Sequence, residues 1–258
     1  MNALLGLAEL LDPTAPPSPS SLMRAAGLEP DPWQSDVLAS TASRILLLCC
    51  RQAGKSTVTA ALALSTVMTL PGALVLLISP SQRQSGELFR KVTGLLHVQP
   101  SPPVIVGETV LTLALANGAR IVALPGAEGT VRGFSGVDLL VVDEAAWVED
   151  NLYRALRPML AVSGGRLVAL STPFGKRGWF HSAWHSAEDW DRIKVTAKDC
   201  PRISPKFLAE ERASLGDWAF RQEYDCEFVD TASSLFTYDE VRAALSSDVT
   251  PLFPTSRA

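Results

Sequence analysis

The sequence predicts an α/β fold in which a central, mostly parallel sheet lies between layers of helix. Two observations predict it. Apolar strands without polar interruption alternate with helical patterns from residue 44 to residue 171, and strands apolar on both faces belong to parallel sheets covered on both sides. The residues able to do chemistry cluster at the carboxyl ends of those strands, where such sheets bind their ligands. The chain has 258 residues, 47% hydrophobic and 19% charged. That is enough apolar material for one substantial core with a small appendage.

Residues 1–29 read as the appendage. Asn2–Leu11 suits a short helix, and the Pro- and Ser-rich run Asp12–Ser21 reads as a linker without regular structure. The domain proper spans 30–230. Arg44–Cys50 is a buried strand that leads through a turn into a helix of about 14 residues from Lys55. Ala73–Ser79 is a second apolar strand, and Ser81–Val98 an amphipathic helix. Val104–Val106, Val110–Ala116 and Arg120–Leu124 are shorter strands, with Asn117-Gly118 as a tight turn. Asp138–Asp143 and Arg166–Ser171 are buried strands on either side of a helix over Asp150–Val162. A small helical C-terminal part follows: Gly178–Ala187, Pro205–Leu215 and Trp218–Phe228, with an edge strand over 190–197. Residues 231–258 form a tail with one helix, Tyr238–Leu245.

Composition excludes several classes. No apolar run reaches the roughly 18 residues of a membrane span. The N-terminus lacks a basic segment and carries Glu9 and Asp12, which is unlike a signal peptide. Cys49 and Cys50 would point to opposite faces of a strand, and Cys200 and Cys226 fit no metal spacing. All four cysteines read as reduced thiols of a cytosolic protein. The net charge of −4 is unlike a chain that grips nucleic acid unaided. Contact with DNA would need a local patch, an assembled ring or another polypeptide.

Cys49-Cys50-Arg51-Gln52-Ala53-Gly54-Lys55-Ser56 lies between a strand and a helix. It matches the phosphate loop G-x-x-x-x-G-K-[ST], with Cys49 in place of the first Gly. Gly54 lets the backbone approach phosphates closely, and the loop N–H groups with the helix N-terminus form an anion cradle. Lys55 would neutralise the β- and γ-phosphates, and Ser56 would offer a hydroxyl to Mg²⁺. Gln52, Ala53 and Thr57 complete the cradle. Leu139-Leu140-Val141-Val142-Asp143-Glu144 ends a buried strand in two acids. In phosphate-loop enzymes the first acid holds the metal and the second can activate water.

Three further features stay open between a functional and a structural reading on their residues alone. Ser171 and Thr172 end the next strand, either near a γ-phosphate or capping the following turn. Arg132 in the Gly-rich loop 129–136 is either a finger reaching a neighbour's ATP or a surface side chain. Gln34 either reads an adenine edge or belongs to an aromatic staple with Trp33. His181 and His185 share a helix face without an evident third ligand and read as packed or solvated.

In this order, six blocks resemble the ATPase domain of the large terminase subunit of tailed phages and prophages. They are Pro32-Trp33-Gln34, the run Cys50–Thr57, Val131-Arg132-Gly133-Phe134, Val142–Ala146, the run Ser171–Gly178 and Phe220-Arg221-Gln222-Glu223-Tyr224. The resemblance spans residues 30–230, and a non-Gly first loop position is the family's own variant. It implies a phosphate-loop ATPase fold of the kind with an extra strand beside the loop strand (ASCE), with ATP and Mg²⁺ as cofactors. It implies a motor driving double-stranded viral DNA through a portal, working with a small terminase subunit. The motor would be a ring of five subunits on the procapsid, a monomer in isolation, and would act in the host cytoplasm at the portal vertex. It assigns catalysis to Glu144, to Arg132 in trans and to the nucleotide-sensing Arg51, adenine contact to Gln34, coupling to Ser171 and Thr172, and the metal to Ser56 and Asp143.

Large terminases continue into a nuclease domain, and the 30 residues after Phe228 are too few to build one. No metal-dependent DNA cleavage is therefore expected of this chain. Two other functions compete with this reading. A superfamily 2 helicase-type translocase shares the Gln motif, the phosphate loop and the Asp-Glu pair but needs a second motor domain with its own arginine finger in the same chain. A nucleotide-binding ring component without turnover would not need Glu144 and Arg132.

Overall fold

The computed structural model describes residues 17–126, 131, 133–230 and 238–244. Eight strands form a single sheet: β1 (Arg44–Cys49), β2 (Leu74–Ser79), β3 (Ile105–Glu108), β4 (Thr112–Leu115), β5 (Arg120–Pro125), β6 (Leu139–Asp143), β7 (Arg166–Ser171) and β8 (Asp191–Val195). Their spatial order is β3-β4-β5-β2-β6-β7-β1-β8. All pairings from β5 to β8 are parallel, and the β3–β4–β5 edge is antiparallel. The fold is the α/β, mostly parallel sheet expected from the sequence, with β7 inserted between the loop strand β1 and the acid strand β6.

The register does the positioning. Asp143 of β6 pairs with Leu170 of β7, and Leu48 of β1 pairs with Ser171. The ends of all three strands therefore lie level, and Asp143, Ser171 and the loop after Cys49 meet at one edge. The strands are buried almost throughout. They have no solvated face because helices cover both sides.

Helix α1 spans Pro19–Ala25, α2 Pro32–Ala39, α3 Lys55–Thr69 and α4 Gln82–His97. α3 is buried along most of its length, and Asn117 at the β4–β5 turn donates from Nδ2 to the Val67 carbonyl at 2.8 Å. α4 buries Leu88, Phe89, Val92, Leu95 and Leu96 on one face.

α1 corrects an expectation. The run to Ser21 is not a structureless linker at its C-terminal end. Ser18 caps a helix that begins at Pro19, accepting from Ser21 N at 3.2 Å. Proline at the first helical position loses no hydrogen bond and arrives with a helical φ. Leu22 and Met23 are fully buried in the main core, and Gln99 Nε2 donates to the Leu22 carbonyl at 3.2 Å. The packed fold thus begins before Pro30. The expected helix Asn2–Leu11 lies outside the described residues.

A second expectation is shortened. Helix α5 covers Asp150–Leu156 only and tightens into a 3-10 turn over Arg157–Leu160. Pro158 lacks the N–H that an α-helix would need there. α6 (Gly178–His185) follows β7. α7 (Pro205–Glu223) breaks at Gly216, whose φ of 76° and ψ of 164° are not helical. The two helices expected on either side of residue 216 are its two halves. α8 covers Tyr238–Ala244.

Candidate nucleotide site

The loop between β1 and α3 turns sharply at Gln52 (φ 60°) and Gly54 (φ 90°). At Gly54 a Cβ would come within 2.8 Å of Gln34 Nε2. Glycine is required there both for its backbone conformation and for space. Cys49 ends β1 and is fully buried, and burial holds its thiol protonated.

Lys55 opens α3, and its largely buried side chain reaches across the strand ends to Glu144. Nζ and Oε1 are 2.8 Å apart. Burial alone would lower the lysine, yet the charge and hydrogen bond of Glu144, with Asp143 behind, hold it above its ordinary value. It is a fixed cation at pH 7.

Asp143 is 6% exposed. Its pKa is pushed up to about 6, first by burial and then by the charge of Glu144, against the opposing pull of Lys55. The Glu144 N–H donates to Asp143 Oδ1 at 3.0 Å. Glu144 itself adopts a left-handed backbone, φ 49° and ψ 45°. That conformation is strained for a side chain with a Cβ, and such strain gathers at functional sites. It turns the carboxylate back over the sheet edge, where Ser171 Oγ donates to Oε2 at 3.4 Å. One oxygen thus faces Lys55 and the other Ser171. Ser171 is fully buried, and its neighbour Thr172 lines the open cleft.

Ser56 and Asp143 would hold Mg²⁺. Both supply oxygen, the donor such a hard cation takes. The Asp143 carboxyl also sits where two acids face one lysine, so a divalent charge beside it would lower its pKa.

Lys55, Ser56, Glu144 and Thr172 line a cleft of about 1020 Å³ that also takes in Gln34, Arg51, Gln52, Ala53, Gly54 and Thr57. The structure brings together every loop and acid-strand residue expected from the sequence. Gln34 lies with them but is 1% exposed, and its Oε1 accepts from Asp31 N at 2.8 Å. It caps α2 and packs over Gly54, so any contact with a base is made from its amide nitrogen side. Arg51 is exposed, and its Nε donates to Glu223 Oε2 at 2.7 Å while its N–H donates to the Glu223 carbonyl at 3.0 Å. Arg132 lies outside the described residues.

Four contributors carried no local sequence signal. Met23 and Leu28 wall one side of the cleft from a segment read as appendage. Trp147, three residues past Glu144, is half-exposed at its mouth and stacks on Phe174 with 3.5 Å between ring centroids. Arg202, from the segment before α7, donates to the Ala53 carbonyl at 2.9 Å. Away from the cleft, His181 and His185 pack edge-on against Phe228. Burial, with the charges of His185 and Lys176, lowers His181 to about 4.

The family described as terminase large subunit, T4likevirus-type, N-terminal, matches residues 46–243. This chain belongs to the large terminase subunit family. The large terminase subunit of Thermus virus P23-45 is 27% identical over 248 residues, covering 82% of this chain and 51% of the relative. This terminase chain therefore spans about half the length of that curated relative. The ATPase domain of the Thermus phage P74-26 large terminase superposes with a TM-score of 0.67 at 23% identity, over 80% of this chain and 97% of that one. A large terminase from a thermophilic bacteriophage, solved with ATP-γ-S, superposes at 0.63 and 16% identity, over 77% of this chain and 53% of that one. At these identities the superpositions establish the terminase fold.

Proposed function

We propose that this chain is the ATP-hydrolysing motor domain of a DNA-packaging large terminase. One observation carries the reading: Glu144 stands at the end of β6, held by Ser171, with its carboxylate 2.8 Å from the phosphate-loop Lys55. A carboxylate so placed lies beside the position that a γ-phosphate on Lys55 would occupy.

The steps follow from charge. Loop N–H groups and Lys55 bind the β- and γ-phosphates. The arriving γ-phosphate competes with Glu144 for the ammonium. Glu144, released on that side and still located by Ser171, orients the attacking water and takes its proton. Thr172 meets the γ-phosphate at the cleft and reports its loss. Ser56 and Asp143 would hold Mg²⁺, which when bound would supply positive charge against the phosphates. Arg51 senses nucleotide through its tie to Glu223, Gln34 contacts the adenine, and Arg132 of a neighbouring subunit completes the site.

Family membership supports double-stranded viral DNA, a portal and a small terminase subunit as partners. We assign the working form to a ring of five on the procapsid in the host cytoplasm, and a monomer to the isolated chain. Nuclease activity is assigned to no residue here. The test is ATP hydrolysis against protein concentration, with and without linear double-stranded DNA. A slow rate that rises more than linearly with concentration is expected, because the neighbour's arginine is absent from a monomer. A fast rate strictly proportional to concentration contradicts the shared site.

A further inference from the structure

Arg202 stands on the segment between β8 and α7, nearly 150 residues from the phosphate loop, with 149 separating it from Ala53. Its guanidinium makes two contacts at once. Nη2 donates to the Ala53 carbonyl at 2.9 Å and lies 2.9 Å from Asp31 Oδ2. The second contact is a charge pair without the alignment of a hydrogen bond. The same nitrogen lies over Gly54, where a Cβ would come within 3.1 Å of it. Arg202 is half-exposed and lines the cleft, so it is not a core prop.

We propose that Arg202 is a positioning residue for the phosphate loop, holding the peptide between Ala53 and Gly54 so that its N–H is presented to the polyphosphate of a nucleotide. The inference rests on the nucleotide-site reading above. In a trans peptide the C=O and N–H point to opposite sides, and no cis peptide occurs among the described residues. A carbonyl drawn to Arg202 therefore commits the Gly54 N–H to the side away from it. Gly54 resists a peptide flip poorly, because glycine populates both signs of φ. A flipped peptide would turn a carbonyl toward the phosphates and repel them. The flip breaks a hydrogen bond from a charged donor, which is stronger than a neutral one. Asp31 holds the guanidinium from the other side, and its own N–H is capped by Gln34 Oε1. The start of α2, the loop and the segment before α7 are closed into one junction.

The test measures binding of a fluorescent ADP analogue to the full chain and to Arg202→Ala, Arg202→Lys and Asp31→Asn. Arg202→Ala is expected to raise the Kd about tenfold, or ~1.4 kcal/mol. Its nucleotide-free Tm should stay within about 2 °C of wild type. Arg202→Lys should recover part of the affinity, since an ammonium can still donate to the carbonyl. Asp31→Asn should give a smaller loss. At saturating ATP the loss in kcat should be smaller than the rise in KM. An unchanged Kd in Arg202→Ala overturns the assignment alone. A loss matched by a fall in nucleotide-free Tm and not relieved by lysine also overturns it, leaving a purely structural side chain. Failure of the wild-type chain to bind the analogue overturns the nucleotide site and this inference with it.

Discussion

Leu22→Ala separates a packed α1 from a loose N-terminal appendage. Leu22 is fully buried where α1 meets α2, α3 and α4. Truncation to alanine removes its apolar contacts and leaves a cavity that the three flanking helices can fill only by moving together. Their backbones are pinned nearby, by Gln99 Nε2 on the Leu22 carbonyl at 3.2 Å and Ser65 Oγ on the Pro17 carbonyl at 3.4 Å. Little collapse is therefore available, and a loss of about 3 kcal/mol is expected. In a domain of this size each kcal/mol lowers Tm by roughly 2–4 °C, so the fall should be roughly 6–12 °C. Thermal unfolding followed by circular dichroism measures it, with Leu70→Ala as the control at a half-exposed leucine. The control should change by no more than about 0.5 kcal/mol. If Leu22→Ala matches the control, α1 contributes nothing to the fold and the packing described for it is wrong.

Three further outcomes are expected. Gly54→Ala should lose nucleotide binding and about 1–3 kcal/mol of stability, since the alanine would be strained at φ 90° and would meet Gln34; wild-type binding by isothermal titration would refute the steric requirement. His181 titrates at about 4 in the fold, below its ordinary 6.5, so the unfolded chain binds more protons between those values. Stability from this group is therefore present above pH 6.5 and lost as pH falls toward 4, and His181→Gln should flatten the fall in Tm between pH 7 and pH 5; an unaltered slope refutes it. Arg132→Ala should lose hydrolysis yet regain it when mixed with a Lys55→Ala chain, and failure of that complementation counts against a finger acting in trans.

The phosphate loop and the acid strand were legible because each is local. Gly54-Lys55-Ser56 and Asp143-Glu144 are short runs whose strand-to-helix setting also lies in the adjacent sequence. The insertion of β7 between β6 and β1 was not local, and only the sheet shows why Ser171 can hold Glu144. Arg202 was invisible because its two partners lie 149 and 171 residues away, 202 less 53 and 202 less 31. No spacing rule links such positions. α1 was missed because composition outweighed two apolar residues. The prolines that argued against structure include the one at position 19, which starts the helix. Gln34 shows a subtler limit: a glutamine suited to a base edge is also suited to cap its own helix, and here Oε1 does the second.

Turnover and binding measured on Glu144→Gln test the ATPase mechanism most directly. The substitution keeps the shape of the side chain and the contact with Ser171 but removes the base and the charge facing Lys55. The variant should bind ATP at least as tightly as wild type, because Lys55 no longer has a competing carboxylate. Phosphate release should fall by a factor on the order of 10²–10⁴, the usual contribution of a positioned general base. Hydrolysis at the wild-type rate by a variant that binds ATP normally would contradict the role of Glu144 and the mechanism built on it.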